Sequence, residues 1–278
     1  MADTFGAKLD ERLKELGPLC AGVDPSRELL ERWGRVDNVD SLEFFALSVL
    51  DAVRGVAVAI KPQVAFFERF GSSGYRVLER LIADASEADV VVIADAKRGD
   101  FAPTNAGYAH AWLDERSPLS VDALTVSPYL GVGALAPFFE LAAATGRGVF
   151  VLAATSNPEG RVVQRARTED HERVEDMVLR EVSEINHSDE GFGSVGVVLG
   201  ATRDAPLFDL NTLGGPYLVP GIGAQGADAS DVARLFSGCD NPRVLASVSR
   251  DILNAGPDRR SLRDAAQRWR DSLWDALR

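Results

Sequence analysis

Eight short apolar runs rich in Val, Ile, Leu and Ala recur along the chain, at Leu19–Val23, Val56–Ile60, Val90–Ala94, Ala123–Val126, Val149–Leu152, Val195–Leu199, Leu218–Val219 and Val244–Leu245. Their hydrophobicity is near-continuous rather than alternating, which fits strands buried on both faces, as in a parallel sheet. Between them the spacing turns helical. Val77, Leu78, Leu81 and Ile82 form one stripe; Val174, Met177, Val178, Val182 and Ile185 form another within His171–Ile185. In Arg260–Leu277 the stripe is Leu262, Trp269, Leu273 and Leu277. Such stripes read as core packing rather than cofactor sites. The first seventeen residues read as an amphipathic helix, and Thr155–Thr168, polar and rich in Arg, reads as a loop after the fifth strand.

Eight strand–helix units without a long linker predict an α/β protein folded as a single (β/α)8 barrel over residues 1–278, with the amphipathic helix at its N-terminus. A barrel of this type needs about 250 residues, so one domain fits the length. An open doubly wound sheet would want a Gly-rich phosphate loop after its first strand. Here that strand ends in Ala-Gly-Val-Asp24-Pro-Ser.

Composition narrows the partners. A net charge of −12 argues against nucleic acid, whose binding rests on basic surface. No run of 18 apolar residues suggests a membrane span, and no apolar signal region opens the chain, so the expected location is cytoplasmic. Cys20 and Cys239 belong to no CxxC pattern and read as inert thiols. The three histidines lack metal-ligand spacing, and no metal site or cofactor motif is expected.

In such barrels the chemistry gathers at the C-terminal ends of the strands. The residues just past the apolar runs include Asp24, Lys61, Asp95, Lys97, Asp100, Ser127, Thr155 with Ser156, Gly221 to Gln225 and Arg250, and polar groups end almost every strand. Of the 30 basic residues only four are lysines: Lys8, Lys14, Lys61 and Lys97. Lys8 and Lys14 fall on the N-terminal helix as a solvated face, whereas Lys61 and Lys97 follow buried strands, where an isolated charge is costly. Arginine is effectively never a proton donor, but an ammonium can be tuned into one. In a strand, Asp95 and Lys97 project to the same side, and Asp100 and Thr104 follow on the loop and next helix. A lysine between carboxylates stays protonated, which suits a general acid better than a Schiff-base nucleophile. After strand seven comes the Gly-rich Pro220-Gly-Ile-Gly223-Ala-Gln225-Gly, and after strand eight Arg250. Phosphate sites in these barrels are commonly built from those two loops, with backbone N–H groups and a two-pronged arginine.

Together these residues resemble the orotidine 5′-phosphate decarboxylase family. Asp95-x-Lys97-x-x-Asp100-x-x-x-Thr104 is similar to its signature. The segments Ala59-Ile-Lys61-Pro-Gln-Val-Ala-Phe-Phe-Glu, Thr125-Val-Ser127-Pro-Tyr-Leu-Gly, Ala154-Thr-Ser-Asn-Pro-Glu-Gly and Pro220-Gly-Ile-Gly-Ala-Gln-Gly resemble its longer bacterial (type 2) branch. The likeness runs from about residue 19 to 255. It implies a cofactor-free and metal-free decarboxylation of orotidine 5′-phosphate to uridine 5′-phosphate. It further implies an alternating network of Lys61, Asp95, Lys97 and Asp100, with Lys97 delivering a proton to C6 and Asp95 facing the substrate carboxylate. Asp24 would take ribose hydroxyls, Ser127 the pyrimidine, and Gly223, Gln225 and Arg250 the phosphate. Asp100 and Thr104 would reach into a neighbouring subunit's site, implying a homodimer. Serine, where the family has glycine, precedes Arg250.

Two other readings of the residues stay open. A magnesium-dependent relative acting on sugar phosphates shares the DxKxxD core but carries an acid on strand two, where this chain has Lys61. A non-catalytic nucleotide-binding protein would keep the phosphate loop and Arg250 without needing Lys97 between two aspartates. Fold alone does not choose among them.

Overall fold

The computed structural model describes residues 4–187, 192–202, 207–240 and 242–278. Eight parallel strands close into a barrel in sequence order. They are β1 (Leu19–Val23), β2 (Ala59–Pro62), β3 (Val91–Arg98), β4 (Ala123–Val126), β5 (Gly148–Ala154), β6 (Val195–Leu199), β7 (Tyr217–Val219) and β8 (Val244–Val248). The barrel closes where β1 pairs with β8, Leu19 against Ala246. β1, β4 and β6 keep the bounds expected from the apolar runs. β2 begins three residues late, the buried Val56–Val58 leading into it. β3 runs four residues past its apolar part, so Asp95 and Lys97 lie within the strand and not beyond it. The ladder continues because Arg98 still pairs with Val126.

Two apolar clusters explain why the runs do not alternate. One lies between strands and outer helices and includes Ala21, Ile60, Val92 and Leu124. The other fills the barrel interior with Cys20, Ala59, Ile93, Ala123, Phe150 and Leu245, capped from below by Phe5 and Leu9 of the N-terminal helix. Each strand therefore buries both faces, one inward and one outward. The next inward residue towards the C-terminal end is polar in four strands: Lys61, Asp95, Thr125 and Ser247, each two positions beyond an interior apolar residue. Strand periodicity thus carries the chain from a greasy floor to a polar mouth.

The helix Phe5–Leu16 closes the floor. Thr4 caps it, its hydroxyl accepting from the Ala7 N–H. Phe5 meets Phe150 edge-on, with ring centroids 6.0 Å apart. A Cβ at Gly148 would come within 2.3 Å of the Phe5 ring, so only glycine admits the plug there. The expected outer helices form over Gly71–Glu87, Val174–Asn186 and Arg259–Ala276. The second starts later than His171, which adopts φ +63° in the preceding turn, and its buried face takes in Glu175 and Asp176 besides Val178 and Val182. Thr155–Thr168 is more ordered than a loop: it holds a 3-10 turn, Pro158–Gly160, and a short helix, Arg161–Gln164. Both cysteines are free, and burial pushes the Cys20 thiol up to about 12.

Candidate active site

A cavity of about 290 Å³ opens at the C-terminal mouth, lined by Asp24, Lys61, Asp95, Lys97, Gln225 and Arg250 among others. Asp95 is its hub. Lys61 Nζ and Gln63 Nε2 donate to one carboxylate oxygen at 2.9 and 3.0 Å. Lys97 Nζ and Thr125 Oγ1 donate to the other at 2.5 and 3.1 Å. A carboxylate has about four lone-pair sites, so the chain itself fills them all. Asp95 is 8 % exposed and Lys61 6 %, while the Lys97 side chain is 45 % exposed and faces the opening.

The electrostatics follow from that packing. Burial alone would raise the Asp95 carboxyl, but the charges of Lys61 and Lys97, with their hydrogen bonds, hold it well below the usual carboxylate range. Burial would lower the Lys61 ammonium, yet the carboxylates of Asp95 and Asp24 outweigh it and hold it above its ordinary value. Both groups are therefore ionised at neutral pH. The trio Lys61, Asp95 and Lys97 carries one net positive charge into the cavity.

Two groups at the rim remain unsatisfied. Asp24 accepts from the Ser249 hydroxyl through Oδ2, while its Oδ1 is buried with no partner among the described residues. A buried carboxylate oxygen without a donor is costly, and a ligand hydroxyl would relieve it. Arg250 opens the short helix Arg250–Leu253 after β8, and its side chain makes no hydrogen bond or ion pair among the described residues. Between them runs the loop after β7. Gly221 and Gly223 adopt φ +97° and +75°, a region that favours glycine. The Gly223 N–H donates to Ala227 O at 2.7 Å, and Gly226 N–H returns to Gly223 O at 2.7 Å. Gly223 is thus spent on the turn, which leaves Ala224 and Gln225 at its tip. Across the mouth, Ser156 Oγ donates to Gln225 Oε1 at 2.7 Å.

The pattern of the Orotidine 5′-phosphate decarboxylase / HUMPS family matches residues 17–265, nearly the whole barrel. The chain belongs to this family. A curated orotidine 5′-phosphate decarboxylase of Salinispora tropica is 54 % identical over 266 residues, covering 96 % of this chain and 95 % of that protein. Its counterpart from Streptomyces coelicolor is 47 % identical over 268 residues, 96 % of each. A crystal structure from Streptomyces avermitilis, whose description proposes an orotidine 5′-phosphate decarboxylase, superposes with a TM-score of 0.94 at 47 % identity. That match covers 99 % of this chain and 96 % of the other.

Within this decarboxylase-family site, the residues expected from the sequence divide into two groups. Lys61, Asp95, Lys97, Asp24, Gln225 and Arg250 converge on one cavity. Asp100 and Thr104 do not face it. The Asp100 backbone is tied to Asn105, whose side chain accepts from its N–H at 2.8 Å and donates to its carbonyl at 2.6 Å. Thr104 is exposed on the first turn of the helix Ala102–Leu113. Within one chain the network therefore has three members, not four. Ser127 lies beside Arg98, to whose carbonyl its N–H donates at 2.8 Å, and is not among the residues facing the cavity; Ser156, after β5, is. Three uncharged residues went unforeseen: Gln63, Thr125 and Ser249. For Thr125 and Gln63 a signal existed, since each stands two positions beyond an inward residue of its strand. Ser249, just before Arg250, donates its hydroxyl to Asp24 Oδ2. Among the described residues no group of three or more His, Cys, Asp or Glu is placed to hold a metal ion, and no helix is long and apolar enough to cross a membrane.

Proposed function

We propose how this cavity carries out its reaction, with Lys97 as the acid. The chain decarboxylates orotidine 5′-phosphate to uridine 5′-phosphate and CO2, a reaction of pyrimidine biosynthesis. The C6–carboxylate bond breaks, its electron pair stays on C6, and Lys97 Nζ supplies the proton that replaces CO2. The observation that carries this reading is the saturation of Asp95 by four donors, two of them ammonium groups. It keeps Asp95 ionised and fixed, and it aims the exposed Lys97 at the cavity.

The same geometry weighs the possible sources of rate. Asp95 against the substrate carboxylate at about 4 Å, with an effective dielectric of about 20, repels by about 4 kcal/mol. That would give about three decades of rate. The two lysines on Asp95 offset much of this repulsion, because the trio is net positive. The larger contribution is therefore attraction between Lys97 and the negative charge developing on C6, an interaction strongest in the transition state. The remaining groups hold the nucleotide. The unpartnered Asp24 Oδ1 suits a ribose hydroxyl, with Lys61 beside it. Arg250, with Gln225 and the turn at Gly223, suits the phosphate, and Ser156 takes the pyrimidine contact expected of Ser127.

Asp100 and Thr104 serve a second copy of the chain in a homodimer. Their position outside their own cavity supports this, as do the exposed Phe101 beside them (69 % exposed) and Tyr129 (82 %). The whole chain, residues 1–278, then acts as one catalytic domain. Ionised Lys61 on β2 repels a cation where a magnesium-dependent relative would carry an acid, which disfavours that chemistry. The test is the ultraviolet change when the purified protein meets orotidine 5′-phosphate with excess chelator. Loss of the orotate band with stoichiometric CO2 is expected. No turnover, with magnesium restoring activity on a sugar phosphate, would overturn the reading.

A further inference from the structure

Lys97 adopts φ +49°, a left-handed conformation strained for a side-chain-bearing residue. The β3–β4 register slips between Ala94 and Arg98, so Lys97 falls where the regular ladder is interrupted. Its N–H donates instead to the side chain of Thr125 on β4, at 3.0 Å from Oγ1. Thr125 is 1 % exposed, so no bulk water competes for that contact. Having accepted from Lys97, the hydroxyl has one proton to give. Ala94 O lies 3.5 Å away and Asp95 Oδ1 3.1 Å, and the nearer, charged acceptor takes it. That same Oδ1 accepts the Lys97 ammonium. Lys97 is therefore tied to one carboxylate oxygen from both ends, directly through Nζ and through Thr125 from its backbone.

We infer that Thr125 is a positioning residue for the proton donor: one buried hydroxyl holds the left-handed backbone of Lys97 and the Asp95 carboxylate in a closed ring. The inference rests on the reading of Lys97 as the acid. β-Branching restricts the Thr125 χ1, so the hydroxyl is aimed before the lysine docks. Without it, the Lys97 N–H loses a buried acceptor and the strained turn loses what holds it. The backbone then relaxes towards an extended conformation and carries Nζ away from C6. Thr125 lines the base of the cavity, but its hydroxyl is committed to the Lys97 N–H and to Asp95, so it acts through these two neighbours.

Thr125→Val keeps the shape and removes the hydroxyl, whereas Thr125→Ser keeps the hydroxyl and removes a methyl. For Thr125→Val, kcat should fall by about 10²-fold, the cost of misplacing a reacting group by about 1 Å. KM and the affinity for uridine 5′-phosphate should stay within about threefold, since no substrate contact is lost. Thr125→Ser should recover kcat to within about threefold of wild type, which a purely packing role would not explain. If Thr125→Val does not fold, Thr125→Ser against Thr125→Ala makes the same comparison. Wild-type kcat in the variant lacking the hydroxyl, or a Ser variant as slow as that one, overturns the inference. Lys97→Ala is assayed in parallel: if it retains turnover, the reading of Lys97 fails and this inference with it. If it is dead while Thr125→Val is fully active, only the role of Thr125 falls.

Discussion

At the floor of the barrel and at its mouth, a carboxylate is held between two cations. Below, Asp10 accepts from Lys14 at 2.6 Å and from Arg243 at 2.5 Å. Burial opposes the charge on Asp10, but the two cations keep its carboxyl below the ordinary value. Above, Asp95 is held the same way by Lys61 and Lys97. The difference lies in what surrounds each trio. Each trio borders a cavity, but the lining at the floor holds no buried unpartnered side-chain atom among the described residues, whereas the mouth leaves Asp24 Oδ1 and the Arg250 side chain without partners there. Charge clusters alone do not mark an active site. Unsatisfied polar groups around open space do.

This contrast can be broken in several ways. Asp95→Asn should have the largest effect, lowering kcat by at least about 10³-fold, or about 4 kcal/mol of transition-state stabilisation. Steady-state decarboxylation rates read it, and an unchanged kcat would make the hub as structural as Asp10. Phe5→Ala removes the floor plug and should cost about 3–5 kcal/mol of stability. It should lower the Tm while leaving kcat per folded molecule near wild type, so a matching loss of kcat would blur the division between ends. Arg250→Ala should raise KM by about 10- to 100-fold, the worth of charged hydrogen bonds at about 1.5–3 kcal/mol, with a smaller change in kcat. Mixing inactive Lys97→Ala and Asp100→Ala proteins should restore about a quarter of wild-type activity if sites are shared across a two-fold dimer. No recovery after subunit exchange would confine Asp100 to its own chain.

The smallest effect concerns pH. The folded pKa of Asp95 is depressed, so its contribution to stability is present above the unfolded value of about 3.9 and lost only as pH falls further towards the folded one. The folded pKa of Lys61 is raised, so its contribution is complete below about pH 10.4 and lost only as pH rises beyond that. The Tm difference between wild type and Asp95→Asn should therefore stay flat from about pH 5 to 9. A slope inside that window would mean that one partner titrates there.

Much of this architecture was legible in the apolar runs, because strands buried on both faces leave a continuous signal. β3 was read short because apolarity ends at Ala94 while pairing continues to Arg98. Charged groups such as Lys61 and Asp95 stood out because a buried charge demands a reason. Thr125 and Ser249 did not, since a hydroxyl is cheap to place and its role depends on a neighbour 28 or 225 positions away. The left-handed turn at Lys97 was equally hidden, for it comes from a register slip between two strands. That Asp100 and Thr104 would lie outside their own cavity came from the family resemblance alone, because nothing in the local spacing of β3 and the helix after it says which way their side chains leave the barrel.

The most direct test is a single comparison on Lys97→Ala: turnover of orotidine 5′-phosphate against affinity for uridine 5′-phosphate. Turnover should become undetectable while the product still binds if Asp24 and Arg250 hold the nucleotide and Lys97 supplies only the proton and the charge opposite C6. Retained turnover, or loss of product binding in step with activity, would contradict the assignment of Lys97 as the acid.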